Sequence, residues 1–469
     1  MKLKHLVFVL SLTFFSQLSL GQSLEQKLDR AFQVLTTDPQ AKYAITSLCV
    51  LDANTGKVIF GRNENVGLAT ASTLKTITSA TAYSLLGKDF RYQTTLAHSG
   101  KITNGVLQGD LIIIGGGDPT LGSFRYAQQK ESVVLSQWVN AIKAAGITKI
   151  EGRVIGDDSA WGSSSTPDGW PWQDMGNYYG AGPSALSWRE NQFDIKLRAG
   201  TRLNQAVTVT SVVPAMPYLQ IVSELTTGAQ GTGDNAYAFL PPLSPIAYLR
   251  GTWGMGIQKS GISAALPDPA YDVAFRLQDT LKRIGITAGQ VTTARKLQAD
   301  KQPLPVVSQQ LNTITSPSLT EIIYWFNKKS INLYGEHLIR TLAWKAGKPA
   351  TTANGIDEQV KYWATKGLDK KALNMIDGSG LSPATKVTSY AMATILFHAQ
   401  QETWFPDFYK SLPQNNGMQL KSGSIKDVSA YAGYYTNPAG KKYIVVININ
   451  NYTGTGINSK LFKTLDALK

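Results

Sequence analysis

The sequence predicts an α/β protein in which an antiparallel sheet flanked by helices is built from both ends of the chain and interrupted by a large β-rich insertion. Three observations carry this. The chain opens on a strand–turn–strand and closes on three alternating strands. A mostly apolar helix follows the opening hairpin. Between about residue 88 and about residue 300 the text changes to short strand-like runs broken by Gly, Pro, Asn and Asp. With 43% hydrophobic and 17% charged residues over 469 positions, the chain can bury two or three cores, which argues against a disordered or fibrous protein.

Taken in order, residues 1–21 read as a cleaved secretory signal peptide. MKLKH carries two lysines, LVFVLSLTFF is apolar, and small residues stand near Ser19-Leu20-Gly21. That run is short for a membrane span of roughly 20 residues, and no other segment is long and apolar enough to cross a bilayer. Residues 24–35 have helical spacing, and residues 44–63 form two strands joined at Asn54-Thr55-Gly56. Residues 69–87 form the apolar helix, stopped by Gly87. Strand-like runs then follow at 107–117, 149–158, 193–200 and 206–213, with a basic amphipathic helix near 132–146. Helices return at 318–330, 331–347 and 387–401, and strands at 418–425, 429–436 and 441–450 precede a short last helix. The simplest organisation assigns residues 22–88 and 305–469 to one domain and residues 89–304 to an insertion of two nested β-rich domains.

Composition narrows the chemistry. The single cysteine, Cys49, can form no intramolecular disulfide, and only His5, His98, His337 and His398 could serve as imidazole ligands or bases. HExxH and GxxxxGK[ST] are absent, so no metal or cofactor is expected and Ser, Lys, Asn and carboxylates must do the work. The net charge of +14, or +12 without Lys2 and Lys4, suits an exported protein that meets anionic polymers. Membrane contact is at most peripheral. The lysines are scattered and no basic run interleaves with aromatics, so nucleic acid is not the expected partner.

Ser72-Thr73-Leu74-Lys75 is an SxxK motif. On a helix this spacing puts the hydroxyl and the amine on one face, and a neutral amine there can take the serine proton. A lysine starts near a pKa of about 10.4, so burial beside another cation must lower it first. Ser72 also lies at the helix start, where free N–H groups can stabilise an oxyanion. Ser330-Ile331-Asn332 lies between two helices, where a hydroxyl can relay a proton and an amide can hold a peptide. Lys421-Ser422-Gly423-Ser424 ends a strand: the lysine offers a charge for a carboxylate, the hydroxyls add hydrogen bonds, and Gly423 lets backbone approach a ligand. Each motif alone is matched by a bland reading, as a helix cap or a surface cation.

In this order and context the three motifs resemble the penicillin-recognising serine acyltransferases, which include penicillin-binding proteins and class A β-lactamases. The 258 residues between Ser72 and Ser330 exceed what a compact β-lactamase needs. The chain is similar to the D-alanyl-D-alanine carboxypeptidase/endopeptidase family of class C low-molecular-mass penicillin-binding proteins, peptidase family S13. Further stretches agree at 109–123, 155–161, 377–382 and 432–435. The chain departs from the family pattern at Thr70, at KSG in place of KTG, and at Pro383-Ala384-Thr385.

The resemblance implies a β-lactamase/transpeptidase-like catalytic domain in the periplasm or cell envelope, acting on peptidoglycan peptides and acylated by β-lactams. It implies Ser72 as nucleophile, Lys75 as its base and Ser330 as proton shuttle to the leaving D-alanine. Asn332 would hold the substrate amide. Lys421, Ser422 and Ser424 would bind the terminal carboxylate, with Gly423 between them and the N–H groups of Ser72 and Ser424 as oxyanion hole. Asp157 or Asp158 is the candidate for the amino end of a diaminopimelate side chain. A β-lactamase-like hydrolase and a non-catalytic peptidoglycan-binding protein are the alternatives, and the sequence leaves the oligomeric state open. The Gly115-Gly116-Gly117-Asp118 stretch reads as a turn rather than a phosphate loop, Trp161, Trp170 and Trp172 as loop packing, and His337 and His398 as structural residues.

Overall fold

Successive side chains of a strand point to opposite faces, and in Ile45–Asp52 both faces are apolar: Leu48 and Val50 on one, Cys49 and Leu51 on the other. The computed structural model describes residues 22–469, so the leader read at residues 1–21 lies outside the described residues. Ile45–Asp52 belongs to an antiparallel six-stranded sheet in the order Val58–Arg62, Ile45–Asp52, Lys442–Asn450, Val428–Thr436, Met418–Ile425, Gln414–Asn415. The first and last parts of the chain thus interleave in one sheet. The opening hairpin turns at Gly56 (φ +71°), with Asp52 accepting the amides of Asn54 and Thr55.

Helices Leu24–Thr36 and Ile457–Leu465 cover one face of this sheet through Leu28, Phe32 and Leu461. The other face meets helices Leu74–Leu86, Leu319–Lys329, Asn332–Lys345 and Ser389–Ala399, with Ile77, Phe326, Leu338 and Ile395 in the shared core. Helix Leu74–Leu86 is buried on every side from Leu74 to Tyr83, a stretch in which Thr, Ser and Ala side chains outnumber the large ones.

The inserted stretch contains two further cores. A five-stranded sheet runs Val291–Thr293, Val154–Asp157, Leu111–Ile114, Gln93–His98, Gln309–Thr315 and packs on helices Glu131–Ala144 and Pro269–Arg283. Inside it, two small sheets between residues 192 and 265 enclose Phe193, Ile195, Trp253 and Ile262. Strand Gln309–Thr315 pairs with Gln93–His98, so the chain leaves the inserted sheet after Thr315. The boundary read at 304/305 falls before this strand because nothing in its local pattern reveals a partner more than two hundred residues upstream.

Candidate active site

Three segments far apart in the chain meet where helix Leu74–Leu86 begins. Ser72 lies in the 3₁₀ turn Ala71–Thr73 that precedes the helix, and Ala71 before it has φ +44°, a strained value for a residue with a Cβ. Lys75, one turn on, is completely buried, and its Nζ lies 2.9 Å from Ser72 Oγ. The same nitrogen is 2.7 Å from Asn332 Oδ1 and 2.7 Å from the carbonyl oxygen of Ser379.

These three partners are uncharged, so burial holds the Lys75 pKa well below the usual lysine value, helped by the nearby Lys421 and opposed by Asp377 and Glu336. A neutral amine has two hydrogens and one lone pair. Donating the hydrogens to Asn332 Oδ1 and Ser379 O leaves the lone pair for Ser72, and a base with its lone pair on a serine hydroxyl can take that proton. Asn332 is oriented for this because its Nδ2 donates to the carbonyl of Tyr179 at 2.8 Å.

The Ser379 carbonyl is held from behind. Asp377, fully buried, accepts from Thr385 Oγ1 at 2.6 Å, from the Ser382 amide at 2.9 Å and from Trp170 Nε1 at 3.1 Å. Glu336, one turn after Asn332, accepts the Gly378 amide at 3.0 Å. Burial, with Asp377 close by, pushes the Glu336 pKa upward, which favours its neutral form. Trp170 and Tyr179 both come from the inserted stretch, so the insertion braces the groups around Lys75.

Ser330 caps helix Leu319–Lys329 in the left-handed conformation, φ +56°. This kink sets its Oγ 3.1 Å from Lys421 Nζ. Lys421, on strand Met418–Ile425, is 1% exposed, donates to the Ser422 carbonyl at 2.7 Å, and is pushed by burial down to a pKa of about 7. Ser422 is half-buried beside it, and Ser424 lines the cleft. A Cβ at Gly423 would stand 2.8 Å from Ser72 N, Thr70 O and Thr73 N, inside the contact distance of a Cβ with backbone atoms. Gly423→Ala must therefore push the strand off the serine turn. We expect it to lower the unfolding free energy by about 1–3 kcal/mol and to slow acylation of Ser72, measured by urea unfolding and penicillin labelling.

Ser72, Ser330, Asn332 and Ser424 share an open cleft of about 690 Å³ with Gln173, Asp174, Tyr179 and Tyr237 of the insertion. Asp157 is not among its lining residues: its carboxylate accepts the Ser159 amide at 2.9 Å and closes its own turn. Asp158 is also turned away, 2.6 Å from Arg295. The acid that faces the cleft is Asp174, which accepts from Tyr179 Oη at 3.2 Å. The WPWQDM stretch was legible only as loop packing, yet Pro171 starts the short helix Trp172–Met175 that presents Gln173 and Asp174.

The decoys have structural roles. Gly115 and Gly117 donate their amides to Asp157 O and Ala185 O, leaving neither for a phosphate. His337 is buried, with Nδ1 2.8 Å from Gly117 O and Nε2 3.0 Å from Ser187 Oγ, and burial drives its pKa down to about 3. Among the described residues no His, Cys, Asp and Glu cluster is placed to hold a metal, and no helix is long and apolar enough to cross a membrane.

A serine–lysine pair at the head of a buried helix, between an antiparallel sheet and a helical lobe, defines the class: a penicillin-recognising serine peptidase. The chain matches the D-Ala-D-Ala carboxypeptidase 3 (S13) family over residues 28–468 and belongs to it. It is 24% identical over 463 residues to a D-alanyl-D-alanine carboxypeptidase of an Actinomadura species, covering 91% of this chain and 82% of that one. It is 26% identical over 428 residues to D-alanyl-D-alanine carboxypeptidase DacB of Haemophilus influenzae, covering 87% and 85%. The crystal structure of penicillin-binding protein 4 (dacB) from H. influenzae superposes with a TM-score of 0.78 at 23% identity, covering 93% of this chain and 98% of that one. That last likeness is one of fold.

Proposed function

We propose that the protein removes terminal D-alanine from peptidoglycan stem peptides, and opens their D-alanyl crosslinks, through an acyl-enzyme on Ser72. The observation that carries this is the buried Lys75 amine, whose Nζ lies 2.9 Å from Ser72 Oγ and 2.7 Å from each of two uncharged acceptors, Asn332 Oδ1 and Ser379 O. Ser72 Oγ attacks the carbonyl carbon of the penultimate D-alanine as its proton passes to Lys75. The C–N bond then breaks, and the proton reaches the leaving nitrogen through the Ser330 hydroxyl. Water, activated by Lys75, hydrolyses the ester and frees Ser72. The N–H groups of Ser72 and Ser424 hold the negative oxygen of each tetrahedral intermediate, and Asn332 positions the substrate amide.

Lys421 explains why one site can open both bonds. A terminal D-alanine and the D-centre of a crosslinked diaminopimelate each carry a carboxylate one carbon from the scissile nitrogen, and a single buried ammonium can bind either. Asp174 replaces Asp157 as the acid available to the substrate's amino end. β-Lactams, whose carboxylate sits beside a strained amide, acylate the same serine; a second H. influenzae penicillin-binding protein 4 structure is a complex with a novel β-lactam. The leader at residues 1–21 and the basic charge favour work outside the cytoplasmic membrane. Purified protein lacking the leader should release free D-alanine from a pentapeptide and convert a crosslinked dimer to monomers. Failure on both substrates would sink the reading.

Charge balance fixes the pH dependence. For a free D-Ala-D-Ala peptide, kcat/KM rises as increasing pH leaves Lys75 neutral, then falls above about 7 as free Lys421 loses the proton that attracts the carboxylate. Bound carboxylate holds that proton, so the falling limb of kcat lies at higher pH. Lys421→Arg, charged throughout, should remove the falling limb of kcat/KM. An unchanged limb in that variant would rule Lys421 out as its source.

A further inference from the structure

The tryptophans at 161, 170 and 172 meet different fates. Trp161 is buried against His337, with ring centroids 5.1 Å apart, and Trp170 is buried on Asp377. Trp172 is 47% exposed, and the next two residues of its helix line the cleft. Its ring centroid lies 6.1 Å from that of Phe239.

Phe239 belongs to strand Asp234–Phe239, which pairs antiparallel with Ile246–Gly254 so that Tyr237 stands opposite Arg250 and Phe239 opposite Tyr248. Ala236, Ala238, Ala247 and Leu249 turn into the core. By strand alternation the four larger side chains share the outer face. Tyr237 borders the cleft, and Tyr248 at the far end is 38% exposed. Arg250 lies over both Phe239 and Tyr248, 5.1 and 5.4 Å from their centroids, with its charge met by Glu224 at 2.7 Å. Aromatic side chains therefore extend from the cleft outward over the inserted β unit, with Trp172 at one end and Tyr248 at the other the exposed ones.

An exposed strip of this kind marks a binding surface. Its one cation is already paired, so the strip selects flat apolar faces rather than charge. Pyranose rings present such faces, because their axial C–H bonds lie against π-systems while the hydroxyls and acetamido groups stay in water. We propose that this strip binds the glycan strand of the substrate, seating N-acetylated amino-sugar rings on the exposed Trp172 and Tyr248, with Phe239 packed between them as support, while the attached stem peptide descends into the cleft. The proposal rests on the peptidase reading, in which a polysaccharide is tethered to the peptide at Ser72. Continuity between strip and cleft favours this occupant over a separate protein.

The test uses the mature chain and the exposed-residue variants Trp172→Ala and Tyr248→Ala. Each should raise the half-saturating concentration of intact crosslinked sacculi about tenfold, the scale of one lost aromatic contact in a multi-ring site. Penicillin labelling of Ser72 and hydrolysis of a sugar-free D-Ala-D-Ala peptide should stay at the parent's level. Glycan strands stripped of peptide should quench the parent's tryptophan fluorescence, and Trp172→Ala should lose that response. Unchanged kinetics on sacculi with no binding of stripped strands would overturn the proposal. An equal loss on the sugar-free peptide would also overturn it, by making the strip a peptide subsite. Strand binding is scored separately from penicillin labelling, so failure of the peptidase reading shows in the second readout and failure of this inference in the first.

Discussion

Replacing Ser72 with alanine lowers turnover of D-Ala-D-Ala peptides by about 10⁵–10⁶-fold, the scale seen when a serine nucleophile is removed from an enzyme that works through an acyl intermediate. Ser72 is partly exposed at the floor of the cleft, and deleting its hydroxyl removes one atom from a site open to water, so the fold should survive. The substrate should still bind, because Asn332, Lys421 and the cleft walls remain. Dissociation constants for uncleaved peptide should therefore stay within a few-fold of the parent while kcat collapses. A variant that lost binding and turnover together would place Ser72 in recognition rather than in chemistry.

Lys75→Met should slow acylation by about 10⁴-fold, the upper range for loss of a general base, and its effect on stability should depend on pH in a defined direction. The folded Lys75 pKa is depressed by burial, so between that value and about 10.4 the unfolded chain binds the extra proton. The parent's stability consequently rises with pH through this window: the contribution is fully present above the unfolded pKa and is lost as pH falls through the folded one. Methionine fills similar space without that liability. It leaves Asn332 Oδ1 and Ser379 O without the amine, at about 1–3 kcal/mol for each unmatched acceptor, and this cost does not vary with pH. The melting temperature of Lys75→Met relative to the parent should therefore be highest in acid and decline towards pH 10. A constant difference across that range would mean Lys75 is not held neutral in the fold.

How far the sequence reveals this site depends on which atoms make each contact. Ser72, Lys75, Ser330, Asn332 and Lys421 make their contacts through side chains in ordered motifs, and they converge around the Lys75 and Lys421 amines. The brace behind Lys75 was not legible. Ser379 and Tyr179 contribute backbone carbonyls, a group every residue carries, across 304 and 153 positions of sequence. Asp157 illustrates the opposite error. The family resemblance offered it as a functional acid, but strand Val154–Asp157 lies beside Val291–Thr293, which leads into the helix carrying Arg295, and the Asp157–Asp158 turn follows that neighbour instead of the cleft. The strands of the main sheet were readable as apolar runs because both its faces are buried, whereas Gln309–Thr315 shows its place only through its pairing.

The central claim is that a neutral Lys75 delivers the Ser72 hydroxyl to a carbonyl and leaves an ester on Ser72. Its most direct test is to label the parent with penicillin at pH 7, quench in acid, digest with trypsin and sequence the modified peptide by mass spectrometry. Residues 63–75 form one tryptic peptide that holds Ser72 beside Thr70 and Thr73. The structure predicts one adduct per chain, on Ser72, absent from Ser72→Ala and nearly absent from Lys75→Met at the same time point. An adduct on another residue, or equal labelling of the Lys75→Met variant, would contradict it.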